Sequence, residues 1–287
     1  MAAWPLPTTS LEAAPAVGDK RAMSADGGIG IFDSGVGGLT VLHALLDALP
    51  GEHLIYLGDT GRYPYGTKSA ETVTRYSIEN VEFLVAKDVK LLVVACNTAS
   101  AVALDRLQAR FSMPIVGVIE PGARAAVERT RSGRVGVIGT EATIGSGAYT
   151  NALRALRPGL EIYTRPCPLL VPLAEEGWVD GPIPRGVVET YLASLKKSGI
   201  DTLVLACTHY PLLRPVIADV MGEGVTLVDS AEETARAVSA LLAARGLARG
   251  GRDGSTSFFV TDVPDRFVRI GQRFLGARVD SAVRLER

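Results

Sequence analysis

Residues 29–38 read IGIFDSGVGG and residues 91–100 read LLVVACNTAS, while residues 135–146 read VGVIGTEATIGS and residues 203–211 read LVLACTHYP. In each pair an apolar run ends in a turn of small and polar residues, and a later apolar run closes on Ala-Cys. The echo predicts two related lobes, each placing one cysteine just past an equivalent strand: Cys96 in the first and Cys207 in the second. Two such lobes facing each other would bring two thiols to one cleft. Outward from these segments the same rhythm holds. IGIF precedes VGGLTVLHALLDAL, LIYL precedes the stretch from Ser69 to Lys87, and LLVVA precedes the stretch from Ala99 to Phe111. PIVGVI, RVGVIG, LEIYT, TLVLA, VTLV and FFV continue the series, the last ahead of a helix from about Asp262 to Phe274. Alternating strand and helix is an α/β pattern. Runs apolar on both faces suit a mostly parallel, buried sheet.

The chain has 287 residues, long enough for two moderate cores. Lys and Arg number 30 against 31 Asp and Glu, without a basic run, so no nucleic-acid partner is expected. No apolar stretch approaches the roughly 18 residues of a membrane span, and no basic-then-apolar leader opens the chain. The expected location is the cytoplasm. The three cysteines argue against a disulfide framework and fit a reducing compartment. Residues 1–26, rich in Ala and Pro without periodicity, read as a flexible tail.

Cys96 precedes Asn97-Thr98 and Cys207 precedes Thr208-His209, so both cysteines stand at the C-terminal edge of a strand. Ligands of open α/β sheets settle outside those edges, where helix N-termini favour carboxylates and thiolates. A free cysteine alone is most often a small core residue, and Cys167 in RPCPLL is read that way. The matched pair with its polar neighbours is not. Zinc bound by Cys96, Cys207 and His209 lacks a fourth ligand and a Cys-x-x-Cys spacing. A Cys–His hydrolase built on His209 leaves the second cysteine unexplained. The run from Gly61 to Ser69 places Lys68 one residue too late for a phosphate loop, and SGVGG misses the G-x-G-x-x-G spacing. Such turns can still present amides to a small carboxylate. Asp33, at a strand-to-helix turn, reads either as a helix N-cap or as a carboxylate at the mouth of the cleft.

FDSGVGGLTV, YPYG, ACNTAS and ACTHYPLL together resemble the glutamate racemases of the aspartate/glutamate racemase superfamily, from about Gly28 to Ala231. The resemblance implies two similar three-layer α/β lobes with mostly parallel sheets, related by a pseudo-twofold axis, with the active site between them. Residues 27–120 and 231–287 would form one lobe and residues 121–230 the other. It also implies paired bases at Cys96 and Cys207, with Asp33 assisting near the first, His209 near the second, and Glu175 as a further acid. Substrate contacts carried over in the same way are Asp33, Ser34, Tyr65, Gly66, Asn97, Thr98, Thr208 and His209, with Thr140 and Thr143 from the GTEAT turn. The reaction implied interconverts L- and D-glutamate without cofactor or metal, the D-enantiomer feeding peptidoglycan assembly, and the resemblance implies a homodimer. An aspartate or broad-specificity racemase and a non-catalytic amino-acid-binding protein are the alternatives.

Two acid/base groups flanking a planar intermediate are the economical way to remove a Cα proton from one face and deliver one to the other. One must be thiolate while the other is thiol. Bringing a cysteine from its usual pKa of about 8.5 to neutrality needs about 2 kcal/mol, within reach of helix ends and polar neighbours. No lysine ends a strand run as a Schiff-base candidate for pyridoxal phosphate.

Overall fold

The computed structural model describes residues 24–286, so most of the Ala- and Pro-rich tail lies outside the described residues. Ten strands form two sheets: β1 Gly28–Asp33, β2 Leu54–Gly58, β3 Val89–Val94, β4 Ile115–Gly117, β5 Arg134–Gly139, β6 Glu161–Pro166, β7 Thr202–Ala206, β8 Thr226–Asp229, β9 Thr256–Val260 and β10 Val283–Arg284. Every pairing among them is parallel. The six-stranded sheet runs β10-β9-β2-β1-β3-β4 and the four-stranded sheet β6-β5-β7-β8. Stripped of β9 and β10, the first has the order of the second. The sequence echo is therefore a repeated topology.

Each sheet is covered on both faces, as parallel strands require. On one face of the larger sheet Ile29, Ile31, Tyr56, Leu91 and Val93 meet the helices Leu39–Ala48, Ala231–Ala244 and Pro264–Leu275. Phe32, Leu57, Leu92 and Val94 point the other way, to the helices Ala70–Val85 and Leu104–Arg110. The smaller sheet divides likewise, with Leu203 and Leu205 on one side and Val135, Val137 and Val204 on the other. The helix over Ala70–Val85 starts where Ser69 accepts a hydrogen bond from the Thr72 amide at 3.2 Å, a side-chain cap.

All nine strands read from the apolar runs are present. β10 was not read: two exposed residues carry no periodicity. The single helix expected over Ala99–Phe111 is two, Asn97–Val102 and Leu104–Arg110, and the first begins directly after Cys96. Among the described residues no helix is long and apolar enough to cross a membrane.

Candidate active site

In both sheets the first strand lies between the next two, β1 between β2 and β3 and β5 between β6 and β7, so the connections run off in opposite directions at its C-terminal end and leave a crevice. At that end of the first sheet stand Asp33, closing β1, and Cys96, two residues past β3; the Ala95 amide donates to the Phe32 carbonyl at 2.9 Å and holds the two strand ends together. In the second sheet Gly139 pairs with Ala206, so Thr140 and Cys207 follow side by side. Cys96 is the N-cap of Asn97–Val102, and Thr140 caps Glu141–Gly145 through the Thr143 amide at 3.2 Å.

The four ends enclose one cavity of about 110 Å³, lined by Ser34, Tyr65, Gly66, Cys96, Asn97, Thr98, Thr140, Cys207, Thr208 and His209. That is well below the roughly 300 Å³ at which drug-sized ligands begin to fit, so it suits a small molecule. The two cysteines are 5% and 6% exposed. Among the described residues no group of three or more His, Cys, Asp and Glu side chains is placed to hold a metal ion.

The Cys96 sulfur lies 3.8 Å from the Ser34 hydroxyl. Burial is the main influence on it, and with the Asp33 carboxyl nearby it pushes the thiol up to about 12, against the pull of the Ala99 and Ser34 amides and the Ser34 hydroxyl. The expectation that helix ends and polar neighbours lower the thiols toward neutrality is thus overturned for Cys96, because a one-turn amide cluster offsets only part of the desolvation. Asp33 is fully buried. Its carboxylate accepts from the Gly35 amide at 2.8 Å, with the Thr208 hydroxyl 3.5 Å away. Burial raises its pKa, opposed by His209 and the Gly35 and Gly38 amides. The N-cap reading of Asp33 is corrected as well: the helix begins at Leu39 with Gly38 as its cap, and Asp33 binds the turn that leads into it.

On the Cys207 side, His209 Nδ1 is 3.8 Å from the sulfur and Nε2 is 3.1 Å from Glu175 Oε1. Burial works against the imidazolium, but Cys207 and Glu175 on either side outweigh it and push His209 up to about 10. The ring is flanked by Tyr63, and Phe274 meets it edge-on at 5.8 Å. Glu175 is the penultimate residue of the helix Leu170–Glu176, which Gly177 terminates in the left-handed conformation at φ 78°, a position that favours glycine.

Around these, hydroxyls and amides fix the walls. Thr98 Oγ1 is 2.9 Å from Thr140 Oγ1 and 3.1 Å from Thr143 Oγ1, joining the two sheets' turns. The Tyr149 hydroxyl donates to Asn97 Oδ1 at 2.7 Å, which leaves the buried Asn97 Nδ2 without a partner. The Tyr65 hydroxyl donates to Asp59, within a cluster that includes Arg62 and Asn80.

The sequence-derived residues converge, but at two depths. Asp33, Thr143 and Glu175 stand behind the lining and reach it through Thr208, Thr140 and His209. Sequence reading missed Tyr63 and Pro64 within the YPYG motif, Thr67 next to it, Glu141 in the GTEAT turn, and Pro168, Val171 and Pro172 in PCPLLVP, all of which line the cavity. The signal was present in each case, since these motifs had been singled out for other residues. Tyr149 and Arg266 had no such signal.

The comparisons with known proteins bear on this arrangement. A family model described as Asp/Glu/Hydantoin racemase matches residues 29–238. The glutamate racemase of Geobacter metallireducens is 61% identical over 252 residues, 88% of this chain and 93% of that one. A crystal structure of a glutamate racemase isoform from Bacillus anthracis superposes with TM-score 0.88 at 43% identity, covering 91% of this chain and 97% of that one. The glutamate racemase of Francisella tularensis, solved in complex with D-glutamate, gives 0.86 at 36% identity, covering 91% and 98%. With most of its length matched and its strand ends gathered around one small cavity, the chain belongs to the aspartate/glutamate/hydantoin racemase family.

Proposed function

We propose that this protein is a glutamate racemase that interconverts L- and D-glutamate by proton transfer between the substrate Cα and two cysteines, Cys96 and Cys207. The observation that carries the reading is the pair of buried thiols at corresponding strand ends of the two sheets, lining one cavity. The relatives named above supply the substrate.

The site is asymmetric in a useful way. Cys96, held protonated by burial and by Asp33, is a thiol ready to donate. Cys207 has the His209 ring nitrogen Nδ1 3.8 Å from its sulfur, a partner that Cys96 lacks. From L-glutamate, Cys207 takes the Cα proton and Cys96 delivers one to the other face; from D-glutamate the roles reverse. Asn97 Nδ2, the unpartnered donor, is available to a substrate carboxylate, because a buried N–H left alone costs about 1–3 kcal/mol. The hydroxyls of Thr98, Thr140 and Thr208, with Ser34 and the edge at Tyr65-Gly66, complete the set of contacts. Glu175 acts through His209, and Asp33 through Thr208 and the turn at Gly35.

No cofactor takes part in this scheme. The D-enantiomer would supply peptidoglycan assembly in the cytoplasm, with the enzyme working as a homodimer. We assign residues 27–120 with 231–287 to one lobe and 121–230 to the other, with β9 and β10 completing the first sheet. Purified protein incubated with L-glutamate or L-aspartate and followed by circular dichroism tests the reading. Loss of optical activity from glutamate supports it; an inert glutamate solution rejects it.

A further inference from the structure

The helix Pro264–Leu275 lies beyond residues 29–238, the stretch matched by the family model, yet it reaches the Cys207 side of the cavity at two points. Phe274 packs edge-on against His209. In the first turn of the helix, Arg266 Nη2 donates to Glu175 Oε2 at 3.4 Å, while Oε1 of the same carboxylate faces His209 Nε2 at 3.1 Å. The two oxygens of one buried carboxylate are thus shared between a ring that titrates and a guanidinium that keeps its charge at any working pH. The helix packs on the first sheet through Phe267, Ile270 and Phe274, whereas Glu175 and His209 belong to the second. The contact therefore also spans the two halves of the site.

In the two-thiol reaction on which this inference rests, the sulfur of Cys207 gains and loses charge in each turnover, and the hold of His209 on Glu175 varies with it. A carboxylate held only by His209 and the neutral Tyr63 hydroxyl would take up a proton more readily whenever the hold of His209 weakened. We propose that Arg266 is a positioning residue for the reaction, fixing Glu175 and through it the His209 ring against Cys207 throughout the cycle. Tyr63 from the loop after β2 and Asp33 at the end of β1 also face this group, and Arg273 of the same helix lies against Gly177. Among the described residues Arg266 is the permanent cation in direct contact with Glu175. Burial raises the Glu175 carboxyl, and His209, Tyr63 and Arg266 together hold it below the ordinary range. Without Arg266 one lowering influence disappears, so the carboxyl protonates at higher pH.

The test is steady-state racemisation of L- and D-glutamate across pH for the wild type, Arg266→Ala and Arg266→Lys. The expected result for Arg266→Ala is a fall in kcat of about tenfold, the scale typical of lost outer-shell partners, with KM within about twofold. The acid limb of its kcat profile should move to higher pH, and Arg266→Lys should restore most of both. Arg266 is half exposed, so the variants should fold, which far-UV circular dichroism checks. A wild type that racemises glutamate alongside an Arg266→Ala variant with unchanged kcat and acid limb overturns this inference alone. So does a loss of kcat that leaves the acid limb in place and that lysine does not repair. A wild type inert toward glutamate overturns the functional reading itself.

Discussion

Gly37 stands where the turn after β1 closes on the second sheet. A Cβ there would lie 2.3 Å from Thr208 Oγ1 and 2.5 Å from His209 Nδ1, inside any real contact distance. Gly37→Ala should therefore displace Thr208 and His209 and lower kcat by at least tenfold while changing the melting temperature little, as the clash falls on the site and not on the core. Turnover of the variant within about twofold of wild type would show that the turn can yield. His209 offers a second test at this scale. Its pKa is raised in the folded protein to about 10, against an ordinary value of about 6.5. Its contribution to stability is then fully present below pH 6.5 or so and is lost as the pH rises toward 10. The stability difference between wild type and His209→Asn, from urea unfolding, should shrink across that window; a difference independent of pH contradicts the charged pairing. Single residues were unevenly legible from sequence. Cys96 and Cys207 announced themselves by their matched positions, because proton transfer needs two groups and the chain has few thiols. Arg266 did not, since one arginine among several on an amphipathic helix carries no local mark, and only the fold brings it to Glu175.

Among the elements, the strands were the most legible part of the fold, because buried parallel strands must be apolar on both faces and so appear as uninterrupted runs. Helix boundaries were less so: the break between Val102 and Leu104 falls inside a continuous amphipathic stretch and leaves no trace in composition. How the C-terminal segment docks was also hidden. Part of that docking rests on Lys90 at the start of β3, whose buried ammonium meets Glu52 at 2.6 Å and donates to the Ala25 carbonyl at 2.6 Å. The other Glu52 oxygen accepts from the Arg249 amide at 2.8 Å. Removing one member of a buried pair leaves the other charge uncompensated, which costs about 3–5 kcal/mol. Glu52→Ala should lose that much in urea unfolding while the activity of the folded fraction is retained. A loss under about 1 kcal/mol would mean that water reaches Lys90.

For the whole molecule, the recurrence of one strand order in both sheets is what turns two unremarkable strand-end cysteines into a pair. A site assembled at the junction of two sheets, with fixed donors such as Asn97 and the three threonine hydroxyls, should also be exacting about substrate length, since a carboxylate short by one methylene leaves buried polar groups unpaired. L-aspartate should therefore show a kcat/KM at least a hundredfold below that of L-glutamate, and comparable values would mark a broad-specificity racemase. The central claim, that the proton removed and the proton delivered belong to different groups, has its most direct test in isotope. With L-glutamate in D2O, sampled at low conversion and read by NMR at Cα of both enantiomers, the account predicts D-glutamate carrying deuterium beside unreacted L-glutamate still protonated. Cys96→Ala and Cys207→Ala should each abolish nearly all of this conversion. D-glutamate that keeps its original hydrogen, or near-normal turnover in either alanine variant, would contradict it.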